Sequence, residues 1–308
     1  MKIRFKHVIA AILLALSLTA PVKAGPFEDA AAAYSKGDYA TALRLLRPLA
    51  DQGLVKAQII LAVMYANGHG VPQSQVEAMK WYRVAADQGD AAAQTALGVI
   101  YANGLGVPKD PAKAVEWLRK AADQGYANAQ TNLGSMYDRG DGVAQDYAEA
   151  MKWYRLAADQ GYANAQNNIA TMYNYGRGVP QNYAEAVKWS RMAADQGLSA
   201  AQYYLAFAYA NGQGVPQDYA EAAKWSRLAA DQGYAVAQFY LGIAYANGQG
   251  VPQDFVQAYK LFELSATHGY KDGIQARETI SRRMTDEQIA EAQRLVRDWK
   301  PTAQQLLR

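Results

Sequence analysis

The chain has no cysteine and only three histidines. Without thiols it can build no disulfide framework, thiolate zinc site, iron–sulfur cluster, thiol nucleophile or lipidated N-terminal cysteine. Three histidines leave little for metal or base chemistry. Long apolar runs are scarce too: the one candidate, Val8 to Ala20, is 13 residues, and a spanning helix needs about 20. An excess of one charge is also lacking, with 31 Lys and Arg against 28 Asp and Glu.

What is present begins with a leader. Lys2, Arg4 and Lys6 precede the apolar run, and Val22-Lys23-Ala24 supplies small residues ahead of Gly25. This pattern predicts a secretory signal peptide over 1–24, cleaved after Ala24, and a periplasmic or secreted mature chain with no membrane insertion. The other reading of the run is an uncleaved anchor. Removing 1–24 leaves 27 basic against 28 acidic residues. Nucleic-acid binding then loses the clustered positive charge it requires.

The 308 residues would by length suggest about two domains, but a period overrides that estimate. Asp-Gln-Gly recurs at 51–53, 87–89, 123–125, 159–161, 195–197 and 231–233, each step 36 residues. Gly-Val-Pro keeps the same register at 70–72, 106–108, 178–180, 214–216 and 250–252. Residues 126–161 and 162–197 match at 24 of 36 positions. Self-similarity at a fixed period of roughly 20–50 residues is the mark of a solenoid.

Each period reads as two helices. Ala129, Leu133, Met136 and Tyr137 share one helical face, as do Ala150, Trp153, Tyr154, Ala157 and Ala158. Ser74, Asp146, Asn182 and Asp218 stand three residues ahead of Glu77, Glu149, Glu185 and Glu221, the capping-box spacing. Asp110 caps and Pro111 opens a further helix. Gly89, Gly125, Gly161, Gly197 and Gly233 close helices. Thr285-x-x-Gln288 caps a last helix that stops before Lys300-Pro301. These signals predict an all-α solenoid: a superhelix of about sixteen helices in stacked antiparallel pairs. The expected divisions are 1–24 leader, 25–53 N-terminal capping pair, 54–269 six repeats of 36 residues, and 270–308 C-terminal capping helices.

Ala127-Asn128-Ala129-Gln130, Leu133-Gly134, Tyr137, Tyr147, Ala150, Trp153-Tyr154, Ala157-Ala158 and Gly161 together resemble the Sel-one-like repeat, a relative of the tetratricopeptide repeat. The N-terminal pair resembles a tetratricopeptide unit. The resemblance implies an α-solenoid that serves as a non-enzymatic adaptor, in bacteria often in envelope or host-contact processes. It implies a protein or peptide partner on a concave face lined by the first helix of each repeat, and a role regulating an envelope signalling protein. A cell-wall-active or β-lactam-binding hydrolase on the same solenoid is the alternative, since some cysteine-rich relatives are linked to β-lactams.

The tryptophans Trp81, Trp117, Trp153, Trp189 and Trp225 recur at helical spacing and read as packing between helices. Truncating one should cost about 3–5 kcal/mol. Gln58, Gln94, Gln130, Gln166, Gln202 and Gln238 read as satisfying backbone groups at repeat junctions. The alternating charges Glu149, Lys152, Arg155 and Asp159 read as a solvated face.

Positions the repeat leaves unfixed are the candidates for binding. Those equivalent to 59, 63 and 67 are predicted to point away from the buried side of the first helix. They give Ile59 and Val63, Thr95 and Val99, then the polar set Thr131, Ser135, Arg139, Asn167, Thr171 and Tyr175. In the fifth and sixth repeats Tyr203, Tyr204, Phe207, Phe239 and Tyr240 make an aromatic group. It is either an exposed interaction patch or a surface covered by the C-terminal segment. No hydrolase, zinc-protease or phosphate-loop motif occurs. No cofactor or metal is predicted.

Overall fold

The computed structural model describes residues 25–302, so the expected leader over 1–24 lies outside it. Sixteen helices and no strand occur among the described residues. They fall into two compact units divided between Gln160 and Gly161, at a repeat junction. The first unit contains α1 (Pro26–Ser35), α2 (Tyr39–Asp51), α3 (Val55–Asn67), α4 (Gln75–Asp87), α5 (Ala91–Asn103), α6 (Pro111–Asp123), α7 (Ala127–Arg139) and α8 (Tyr147–Asp159). The second contains α9 (Ala163–Tyr175), α10 (Tyr183–Asp195), α11 (Ser199–Asn211), α12 (Tyr219–Asp231), α13 (Ala235–Asn247), α14 (Phe255–Thr267), α15 (Asp272–Ser281) and α16 (Asp286–Asp298). Each unit is a stack of helix pairs, each pair packed on the next, which is the expected all-α solenoid. From α3 to α14 the odd-numbered helix leads a repeat and the even-numbered one trails.

The caps follow the expected residues, with one difference. Ser74 Oγ accepts from Glu77 N, Asp146 from Ala148 N and Glu149 N, and Asn182 from Glu185 N. The reverse arm of the box is replaced. Each cap residue's own N–H donates to the carbonyl of a leading-helix tyrosine, as Ser74 does to Tyr65 and Asp218 to Tyr209, both at 2.9 Å. The glutamates, released from capping, turn outward: Glu221 meets Lys224 Nζ at 2.9 Å and accepts from Trp225 Nε1 at 3.1 Å. Only Thr285 with Gln288 forms the full reciprocal box among the described helices.

Two sets of contacts tie repeat to repeat. The first is a glutamine ladder. Gln94 Nε2 donates to Ala86 O at 3.2 Å while its Oε1 accepts from Gln124 Nε2 at 2.8 Å. Gln130 and Gln202 do the same with Ala122 and Gln160, and with Ala194 and Gln232. The glutamines reach backbone carbonyls at the junctions, as the sequence suggests. Those carbonyls also accept from Gly89, Gly125 and Gly197 N, so the groups the ladder satisfies are the buried glutamine amides themselves. The second set is built on the tryptophans. Trp117, Trp153 and Trp225 are each 6% exposed. Arg47, Arg83 and Arg191 lie over Trp81, Trp117 and Trp225 of the following repeat at 5.3, 4.8 and 5.5 Å, each contact worth about 0.5–1 kcal/mol at such sites.

The loop between leading and trailing helices presses on the preceding repeat. At Gly250, φ is +72° and a Cβ would stand 1.9 Å from Tyr219 O. Only glycine fits that approach. At the C-terminal end α15 and α16 cover α14, with Ile280 and Ala292 buried beside Tyr259 and Phe262. The glutamine ladder ends in a histidine. Gln238 Nε2 donates to Ala230 O, which turns its Oε1 toward His268 Nδ1 at 2.8 Å. That nitrogen must therefore carry the proton. Trp299 packs on His268 at 5.2 Å, and Thr302 N donates to Asp231 O at 2.7 Å.

Candidate functional site

In the first unit the predicted open stripe is closed. Ile59, Val63, Thr95 and Val99 are buried, and so is Thr131, whose Oγ1 donates to Ala127 O. The helical angle alone counts one neighbour. A leading helix has its own trailing helix and also adjoining leading helices, as α5 meets α7. Its apolar β-branched residues therefore join one continuous cluster. Ser135 is half-buried and Arg139 exposed. Arg139 folds back on Ser135, donating to its hydroxyl at 2.7 Å, and pairs with Asp141 at 3.4 Å. These three candidates form no open site.

In the second unit the stripe opens progressively. Thr171 Oγ1 donates to Asn167 O at 3.0 Å, and Asn167 is half-buried. Tyr175 is 64% exposed with Arg177 over its ring at 5.3 Å. Tyr204 is half-buried, its hydroxyl donating to Asn174 Oδ1 at 2.9 Å. Burial pushes the Tyr204 hydroxyl up to about 12, with Tyr183 and Tyr175 nearby adding to the effect.

The aromatic group of the fifth and sixth repeats divides. Phe239 turns toward the C-terminal cap, meeting Phe262 at 5.7 Å and Tyr270 at 5.0 Å. That part of the group is covered. Phe207 and Tyr240 stay open, at 38% and 40% exposure. Tyr203 and Tyr240 lie 5.9 Å apart, and Phe239 meets Tyr240 edge-on at 5.4 Å. Burial, and then neighbouring Tyr240 and Tyr234, raise the Tyr203 hydroxyl beyond the usual phenol range, so it stays neutral.

Tyr203, Phe207 and Tyr240 line one cavity of about 360 Å³ between α11, α12 and α13. Tyr219, Ser226 and Gln249 complete the wall, and no charged side chain contributes. The size and the mixture of rings with a few polar groups match a binding pocket. The unfixed-position stripe does not include Tyr219, Ser226 or Gln249. Of these only Ser226 has a signal in the sequence, a serine where most repeats carry a large side chain. Among the described residues no group of His, Asp or Glu could hold a metal ion, and no helix is long and apolar enough to cross a membrane.

A family model for the Sel1 repeat matches residues 31–54, 55–90, 91–126, 127–162, 163–198, 199–234 and 235–270. The first, shorter match falls on the helix pair read from sequence as tetratricopeptide-like. A solved Sel1 repeat protein of Oxalobacter formigenes is 33% identical over 78% of this chain and 96% of its own, with a TM-score of 0.72. A protective antigen of uropathogenic Escherichia coli strains is 29% identical over 90% of this chain and 76% of its own, with a TM-score of 0.39. An immunity protein of Pseudomonas aeruginosa is 20% identical over 70% of this chain and 81% of its own, with a TM-score of 0.48. No curated protein matches the chain.

Proposed function

Because the chain belongs to the Sel1 repeat family, whose members generally mediate protein–protein interactions, we propose that it is an exported, non-enzymatic scaffold holding a protein partner on its leading helices. The observation that supports this reading is the uncharged cleft at Phe207 and Tyr240, where large rings stay exposed in water. Exposed aromatic groups of this kind are the usual anchors of protein interfaces. The leader pattern over 1–24 supports export. Nothing in the cleft favours chemistry: no carboxylate, imidazole or amine lines it.

Crosslinking in intact cells, with photoreactive groups placed at Phe207 and at exposed Lys152, tests the proposal. A protein captured from Phe207 and not from Lys152 is the expected result. Turnover of nitrocefin or peptidoglycan that survives purification and is lost on one point substitution would overturn it in favour of a hydrolase.

A further inference from the structure

The cavity has an origin in the repeat pattern. In most repeats one trailing-helix position carries a large buried side chain: Tyr82, Leu118, Tyr154 and Phe262. It packs onto a small leading-helix residue. A Cβ added at Gly134 would lie 2.8 Å from the Tyr154 ring, and one at Gly242 would lie 2.7 Å from Phe262. In the fourth and fifth repeats the large residue is Ser190 or Ser226. The bulk moves instead to the next leading helix. The position 14 residues further on is Ala96, Asn132, Asn168 or Ala276 after a large residue, but Tyr204 or Tyr240 after serine.

The two exchanged repeats then differ from each other. Tyr204 is held in place by its bond to Asn174. The residue equivalent to Asn174 in the next repeat is Ala210, and Ala210 is itself part of the cavity wall. Tyr240 has no amide partner at Ala210; its hydroxyl bonds to the Tyr203 hydroxyl and its ring leans on Tyr203 and Phe239. The fifth repeat has thus lost a core ring at Ser226, and its substitute Tyr240 stays 40% exposed instead of filling the space.

We propose that this pocket receives an aromatic or leucine side chain carried by the protein partner, filling from outside the space that Phe262 fills within the sixth repeat. The proposal rests on the scaffold reading above. The wall selects for this chemistry, because a charged side chain would lose its hydration there without gaining a counter-ion. Exposed Asn211 and half-exposed Gln249 border the pocket and supply amide groups for the backbone of the incoming segment.

The test uses N-acetylphenylalaninamide and N-acetylleucinamide as probes, with N-acetylaspartic acid α-amide, whose β-carboxylate is free, as the charged control. Binding to the full chain is followed by amide chemical shifts. The two apolar probes should produce saturable shifts confined to α11, α12, α13 from Tyr240 onward and the loop at Gln249, and the charged one none. Two variants close the pocket by different routes. Ala206→Gly with Ser226→Phe and Tyr240→Ala gives the fifth repeat the packing of the sixth. Ala210→Asn gives Tyr240 the anchor of Tyr204. Each should keep a wild-type melting temperature or exceed it, and each should weaken probe binding by about tenfold or more. Absence of saturable shifts in the wild type, equal binding of the charged probe, or undiminished binding by a folded closed variant would overturn the proposal. Undiminished crosslinking of the partner by both folded closed variants would overturn the pocket and leave the scaffold standing. Failure of the wild type to capture any partner would sink the scaffold reading while the probe titration still reports on the pocket.

Discussion

Gln94 is 5% exposed and spends both ends of its amide, one on Ala86 O and one on Gln124. Gln94→Leu keeps most of the volume and removes both bonds, though Ala86 O still accepts from Gly89 N and Gln124 Nε2 still reaches Lys120 O. A hydrogen bond contributes about 0.5–1.5 kcal/mol net, so urea unfolding should show a loss of that order. Tyrosine hydroxyls add a pH dependence. Burial holds Tyr34 and Tyr204 at about 12, against an ordinary value of about 10. The unfolded chain releases those protons first. Stability is therefore intact below about pH 10 and falls as pH rises toward about 12. Tyr34→Phe with Tyr204→Phe should flatten that alkaline decline in unfolding measured at a series of pH values. Residue roles fixed by repetition were legible in the sequence. The glutamines and tryptophans recur because every junction asks the same of them. Roles fixed by neighbours were not. Val63 and Phe207 occupy one register, yet Val63 is buried and Phe207 is open, because openness depends on what stands at other positions, such as Ser226.

Among elements, the loops and caps separate two kinds of constraint. Gly197 has φ +86° and nothing within 4 Å of a built Cβ, whereas Gly250 adds a backbone collision to a similar φ. Gly197→Ala should cost about 1–3 kcal/mol for the left-handed conformation alone. Gly250→Ala should cost clearly more, since Tyr219 must move; thermal denaturation of the two variants makes the comparison. The trailing helices give a second contrast. Asp218→Ala removes the acceptor for Ala220 N and Glu221 N and should cost about 1 kcal/mol. Glu221→Gln should change stability by less than about 0.5 kcal/mol, because its carboxylate serves an exposed lysine and one indole rather than the cap. Equal losses from the two substitutions in urea unfolding would contradict this division. Helix boundaries could be read from such punctuation, and α16 ends before Lys300-Pro301 as its sequence indicates. The replacement of the reciprocal arm could not. It depends on a tyrosine carbonyl brought close only when the two helices pair.

For the molecule as a whole, the ends carry the burden that stacking creates. Tyr259 and Phe262 are buried beneath α15 and α16. A chain ending at Tyr270 would expose them, and light scattering should then show self-association that the full chain lacks. A monomeric, soluble truncated chain would mean that the cap is dispensable. The ladder has a further consequence. Gln124 reaches Gln94, Gln232 reaches Gln202, and His268 reaches Gln238, in each case across 30 residues of chain. Each rung asks only for the same partner one step back, not for a particular ordinal place. An in-register excision of residues 199–234 would hand Ala235 and its successors equivalent acceptors one unit back, Ala194 O taking the place of Ala230 O for Gln238. Genes of this construction can therefore shrink or grow by unequal crossing-over, one whole unit at a time, while any breakpoint out of phase is eliminated by misfolding.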